Sequence, residues 1–187
     1  MWSAPFNRQK TGPVLRMLAK TGKSGGRLLD VGCGPGTNTA LFDGWDYHGV
    51  DLNPKYIATA RTRFPHRRFD VGDATKLGVN GKFDVVLINS LMHHIDDAGC
   101  RSLLSGLAAL LADDGSVITQ EPLVPEDGNR VQTFFMNQDR GDYFRSLDHW
   151  KDLFSTGDLK IREEEFYTMR LAGFLVGWRM YSVLLTQ

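Results

Sequence analysis

"LLDVGCGPGTNTALF", residues 28–42, runs from an apolar stretch through one acid into a turn of glycine and proline. A turn of this kind after a buried strand lies beyond the carboxyl ends of an open α/β sheet, where ligands of such folds bind. The glycines fall at Gly32, Gly34 and Gly36, and Thr37 stands where a dinucleotide fingerprint needs its third glycine. The spacing is therefore G-x-G-x-G, with Asp30 two residues ahead of it. A carboxylate so close to the turn is a poor neighbour for a pyrophosphate and a good one for a cationic ligand. No Gly-Lys-Ser/Thr follows, so the Walker pattern is absent too.

Outward from the turn, short β-rich runs alternate with helical ones, which predicts a parallel sheet flanked by helices. Strands are expected at 27–31, 46–51, within 66–74, at 82–90 and at 115–122. Helices are expected at 12–22, 54–64, 96–115 and 146–154, with a further one opening in "TNTALF" (37–42). Two late runs, 159–169 and 174–185, read as an antiparallel pair closing the sheet. The expected fold is a doubly wound, mostly parallel seven-stranded sheet with an antiparallel last strand and helices on both faces. It forms a single domain, with residues 1–25 as an N-terminal helix or lid and 123–150 as a long loop on the acceptor side.

The 187 residues suit one sizeable core. Lysine plus arginine (22) balances aspartate plus glutamate (22), which removes any general pull toward nucleic acid or anionic membrane. Cys33 and Cys100 form no metal or disulfide spacing, so a reduced, cytoplasmic setting is expected. The start of the chain does not read as a signal peptide, and "LAGFLVGWRMYSVLL" is interrupted by Arg179 and too short to span a bilayer.

"LDVGCGPG" resembles the first motif of the class I S-adenosylmethionine-dependent methyltransferases, and the likeness runs in order through residues 27–121. Asp51 ends the second strand in "VDLNP", about 20 positions after Asp30, where an acid can take both ribose hydroxyls. Asp73-Ala74 resembles the pair that meets the adenine, and "FDVVLINSLMHHI" the fourth strand with its turn. The resemblance implies S-adenosyl-L-methionine as cofactor, S-adenosyl-L-homocysteine as product and a small-molecule methyl acceptor, most readily at oxygen. It implies that Gly32, Gly34 and Gly36 let backbone approach the methionine part, and that Asp30 favours its ammonium or sulfonium end. Asp51 would hold the ribose, Leu52 the adenine face and Asp73 the adenine amino group, while the main chain of Asn89 and Ser90 lines the end of the central strand.

Acid–base candidates on the acceptor side are His93, His94, Glu121, Asp139, Asp142 and His149. His93 is taken as the substrate-facing member of its pair, with His94 packed away. Both being structural is the competing reading. In "NQDRGDYFRSLDHW" (137–150), Arg140, with Tyr143 and Arg145, could grip a carboxylate or phosphate, or Arg140 and Asp142 could simply brace the loop. Phe134, Phe135, Trp178 and Tyr181 read as core, some of them lining an acceptor site. Trp2, Phe6, Asn7 and Lys10 could fold over the cofactor. No metal is expected, and the chain is taken as a monomer or homodimer. An NAD-linked oxidoreductase, which the glycine spacing opposes, and a non-catalytic protein that kept the cofactor fold remain open.

Overall fold

The structure is a computed structural model. It describes residues 4–125, 136, 141–155, 157–171 and 176–187, with the backbone alone at 4–8, 171 and 176.

The chain runs α1 (Ala4–Lys20), β1 (Gly26–Val31), β2 (Trp45–Asp51), α2 (Pro54–Arg63), β3 (Arg68–Val71), β4 (Phe83–Asn89), α3 (Asp97–Leu110), β5 (Leu111–Pro122), α4 (Leu147–Phe154), β6 (Lys160–Leu171) and β7 (Val176–Thr186). These strands form one seven-stranded sheet in the order β3-β2-β1-β4-β5-β7-β6. β7 is antiparallel to both of its neighbours, and the pairs from β3 across to β5 are parallel. The strand order reverses between β1 and β4, so the ends of β1, β2 and β4 open the crevice into which the glycine turn projects.

Side-chain alternation along the strands divides the core into two faces. Leu28, Val85, Leu87, Ile118 and Leu184 pack against Val14 and Met17 of α1 and Ile57 and Ala60 of α2. Leu29, Val31, Val86, Ile88, Val117, Val183 and Leu185 meet Cys100, Leu103, Leu104 and Leu107 of α3 with Trp150, Leu153 and Phe154 of α4. The helix starts follow from their caps. Asn53 accepts from Lys55 N ahead of Pro54, Asp96 accepts from Gly99 N, and Ser146 accepts from His149 N.

Three boundaries depart from the sequence reading. "TNTALF" opens no α-helix: only Thr39–Leu41 form a 3-10 turn before the chain enters β2. Thr37, Asn38 and Thr39 are weak helix formers whose side chains compete for backbone groups, and Gly44 at φ 81° already turns the chain into the next strand. The helix expected over 96–115 ends at Leu110, and β5 begins at Leu111 with an irregularity before it pairs regularly from Ser116. α1 starts well before Gly12 and carries Pro13 in its interior. The missing Pro13 N–H deprives the Gln9 carbonyl of its usual helical donor.

Gly49 marks the tightest approach between β2 and its surroundings. A Cβ there would meet the Phe69 ring at 2.7 Å and Cys33 Sγ at 2.8 Å. Gly49→Ala is expected to lower stability by about 1–3 kcal/mol through overpacking, seen as a lower urea midpoint at unchanged slope.

Candidate functional site

The turn after β1 holds Gly32, Gly34 and Gly36 at φ 76°, 55° and 75°, a region L-residues rarely occupy. The N–H groups of Gly32 and Cys33 both donate to Val50 O, at 2.8 and 3.1 Å, folding the turn back over the end of β2. Space is short as well. A Cβ on Gly32 would meet Leu91 at 3.0 Å, and one on Gly36 the Phe64 ring at 3.0 Å. Cys33 is buried beneath, and burial raises its thiol pKa, as suits a packing residue rather than a nucleophile.

Asp51, at the end of β2, accepts from Gly34 N through Oδ2 and from Asn53 N through Oδ1, each at 2.8 Å. Each carboxylate oxygen keeps a further lone pair, enough for two hydroxyl donors. Beside it Leu52 is 70% exposed, an apolar side chain left at the surface next to a polar hook. Asp73 follows β3, and its Oδ1 takes both the N–H and the hydroxyl of Thr75 at 2.9 and 2.8 Å. Those bonds hold its carboxyl below the usual range. Asp73 caps the short turn that Ala74 begins, beside a hollow of ≈ 290 Å³ lined in part by Val50, Val71, Gly72 and Leu77.

Asp30 lies beneath the turn rather than at its open surface. It is fully buried, its Oδ2 accepts the Tyr47 hydroxyl at 2.6 Å, and its Oδ1 has no hydrogen-bond partner. Burial pushes its pKa up to about 7, and nearby Asp51 adds to the rise against the opposing effects of Tyr47 and Asn38. Sequence reasoning missed Tyr47. The signal available was parity, since Tyr47 lies two residues from Gly49, which pairs with Asp30 across β1 and β2.

At the end of β4, Asn89 Nδ2 donates to Asn38 Oδ1 at 3.2 Å, while Asn89 Oδ1 is buried without a partner. Ser90 adopts φ 56° and its N–H donates to Gln120 O at 2.8 Å. Glu121, with no exposed surface, then gathers the turn that follows. It accepts from Leu91 N (3.0 Å), Met92 N (2.9 Å), His93 N (3.4 Å) and the His93 ring Nδ1 (2.7 Å). His93 is 3% exposed, stacked on Phe144 and against His94, and Gly141 lies so near that a Cβ there would fall 2.4 Å from the ring. His93 is thus packed in and His94 exposed, the reverse of the burial expected from sequence, while both border the cleft beside this turn. The reason is that Glu121 draws the His93 ring inward.

A cleft of ≈ 180 Å³ opens beside this turn, with Lys10, Ser90, His93, His94, Trp178 and Met180 in its wall. Arg145 does not reach out to a ligand. It is 3% exposed, and its guanidinium donates to Met92 O, Ile95 O and Tyr143 O and pairs with Asp97 at 2.8 Å. His149 also goes to Asp97, at 2.7 Å. Tyr143 and Asp142 are exposed. Arg140, Asp139, Phe134, Phe135 and Trp2 lie outside the described residues.

Residues 6–164 match the family model described as a methyltransferase domain. The chain belongs to that family, the class I S-adenosylmethionine-dependent methyltransferases. Among curated relatives, trans-aconitate 2-methyltransferase of Methylobacterium radiotolerans is 32% identical over 122 residues, which cover 63% of this chain and 46% of that protein. The Rhizobium meliloti protein of the same name is 29% identical over 130 residues, covering 65% and 50%. The chain spans about half the length of these relatives. Solved structures agree in fold: a TehB-like methyltransferase of Corynebacterium glutamicum has TM-score 0.70 at 21% identity, covering 94% of this chain and 87% of that one. A Leishmania major methyltransferase has TM-score 0.77 at 15% identity, covering 96% and 72%.

Within the methyltransferase, the buried groups make two expectations. Arg145→Met strips three carbonyls and Asp97 of their donor. It should cost about 2–4 kcal/mol, the full buried-pair cost being reduced because Asp97 is half exposed, read from urea unfolding. Asp30 has a folded pKa above its unfolded value, so its contribution to stability is complete below about pH 4 and is lost as pH rises through about 7. Asp30→Asn should therefore gain stability relative to wild type between pH 5 and 8, measured as the difference in urea midpoint. A constant difference across that range would refute the assignment.

Proposed function

We propose that this methyltransferase moves a methyl group from S-adenosyl-L-methionine to an oxygen of a small-molecule acceptor. The observation that carries the reading is that the turn after β4 borders both the glycine cradle and the cleft: Leu91 packs against Gly32, and the adjoining Ser90 lines the cleft. The residues present suit the cofactor. The cradle is tight at Gly32 and Gly36, whose φ also disfavours any side chain, Asp51 keeps lone pairs for a ribose diol, and Leu52 offers an apolar face for adenine. Asp73 and Ala74 stand at the adenine edge, and the main chain of Asn89 and Ser90 borders the methionine end. Asp30 acts from below, holding the floor of the turn. When bound, S-adenosyl-L-methionine supplies a methyl group on a sulfonium, already activated for displacement.

The work left to this chain is alignment and exclusion of water. Glu121 supports it by fixing the turn from Leu91 to His93, with His93 as a positioning residue and His94 facing the cleft. Oxygen as the acceptor atom is supported by relatives named for trans-aconitate, a molecule whose only heteroatoms are oxygens. A carboxylate is ionised near neutral pH and needs no base, which agrees with a cleft whose buried histidine is spent on Glu121.

Isothermal titration with S-adenosyl-L-homocysteine tests the cofactor half. Wild type should bind, and Asp51→Ala should lose at least about tenfold in affinity, from charge-assisted bonds worth about 1.5–3 kcal/mol. Equal affinity in that variant would remove Asp51 from the site. Tritiated methyl transferred to an organic acid should be released by mild alkali, as an ester releases it. Alkali-stable label would point to nitrogen or carbon.

A further inference from the structure

Four polar side chains join the ends of three strands beneath the glycine turn. Tyr47 of β2 donates its hydroxyl to Oδ2 of Asp30 on β1, at 2.6 Å. Asn38, in the turn, accepts through Oδ1 from Asn89 Nδ2 at 3.2 Å, and Asn89 is the last residue of β4. Asn38 also lies close enough to Asp30 to favour its ionised form.

Asn38 is not used locally. It precedes the 3-10 turn Thr39–Leu41, a position where asparagine ordinarily accepts from a main-chain N–H, yet its side chain makes no such bond. It is 8% exposed, and a buried amide is costly unless its bonds are made elsewhere. Here they are made across the floor of the crevice, so the amide fixes where the end of β4 stands relative to Asp30. Among the side-chain atoms of these four residues, the ones buried without a partner are Asp30 Oδ1 and Asn89 Oδ1, both acceptors. Acceptors around a carboxyl group give the floor a negative potential, which suits a cationic group and opposes a carboxylate or phosphate. Asp30 titrates at about 7, raised by burial and by Asp51 and held down by Tyr47 and Asn38, with the buried Cys33 thiol also beside it.

We infer that Asn38 is a positioning residue for the amino-acid arm of S-adenosyl-L-methionine: by bridging Asn89 to Asp30 it sets the end of β4, and the carboxyl group beneath it, against the arm's ammonium. Tyr47 serves the same arm through the other oxygen of Asp30. The adenosine half is left to Asp51, Leu52 and Asp73. This rests on the placing of the methionine end beside Asn89 and Ser90 proposed above.

The test titrates the full chain with S-adenosyl-L-homocysteine and with methylthioadenosine, the same nucleoside carrying a methyl group in place of the amino-acid arm. Wild type should prefer the former, with an affinity that rises with pH and levels off above about 7, where Asp30 is already ionised without the ligand. Asn38→Leu, or Asn38→Ser if the former does not fold, should weaken S-adenosyl-L-homocysteine about tenfold, the loss of one charge-assisted bond, and leave methylthioadenosine within about twofold. The levelling-off should move to higher pH, because a donor that favours the ionised carboxyl is gone. Tyr47→Phe, which keeps the ring in the core, should move it the same way. Unchanged affinity in the Asn38 variant, equal losses for both ligands, or pH profiles unmoved in both variants would each overturn this inference alone. A wild type that binds methylthioadenosine as tightly as S-adenosyl-L-homocysteine would overturn the placing of the methionine end, and this inference with it.

Discussion

Glu121, next to last in β5, lies where water does not reach, and three successive main-chain N–H groups and one imidazole converge on its two oxygens. Those N–H groups belong to a turn with no helix or sheet partner of its own, and buried backbone donors must be satisfied somewhere. Arg145 does the complementary task from the other side, taking carbonyls of the same segment. One buried carboxyl group and one buried guanidinium thereby hold both polarities of the chain between β4 and α3. The crevice has a fixed wall because of that division. Ser90 can sit at an unfavourable φ only because its neighbours leave it no alternative.

The opposite wall is set by a different device. Asp51 ties the glycine turn to the end of β2 through Gly34, and Val50 O takes two more N–H groups of the turn. The cradle is therefore built from main chain positioned by main chain. Among the described residues the side chains beside it include Asp51, Leu52 and Asp73, so the shape of the turn is set chiefly by its glycines. The neighbouring cleft is assembled in the opposite manner, in large part from side chains delivered by α1, β7 and the turn after β4.

That contrast explains what could be read from sequence. The succession of strands and helices, the two-faced core and the place of the cradle follow from local pattern, because glycine spacing, strand alternation and caps are written within a few residues of where they act. The helix expected at "TNTALF" failed because its fate depends on how soon β2 must begin, which is a matter of distance across the turn. His93 and His94 could not be ordered from sequence, since the choice is made by Glu121, far along the chain. Arg145 looked like a ligand-gripping residue for the same reason: its partners Met92, Ile95 and Asp97 are remote in sequence and adjacent only in the fold. Lys10 was visible as part of an N-terminal segment, but its destination beside Ser90 depends on Gln9 finding the edge of β6.

β7 follows β6 along the chain yet is inserted between β5 and β6. As synthesis proceeds from the N-terminus, the parallel strands and the whole cradle can assemble while β5 still presents an open edge. The wall that carries Trp178 and Met180, and the strand on which α1 is fastened, must wait for the last strand to thread into place. Nascent chains would thus acquire the glycine turn and its crevice before the cleft beside His94. The exposed border of β5 is then the stretch most open to mispairing with another strand.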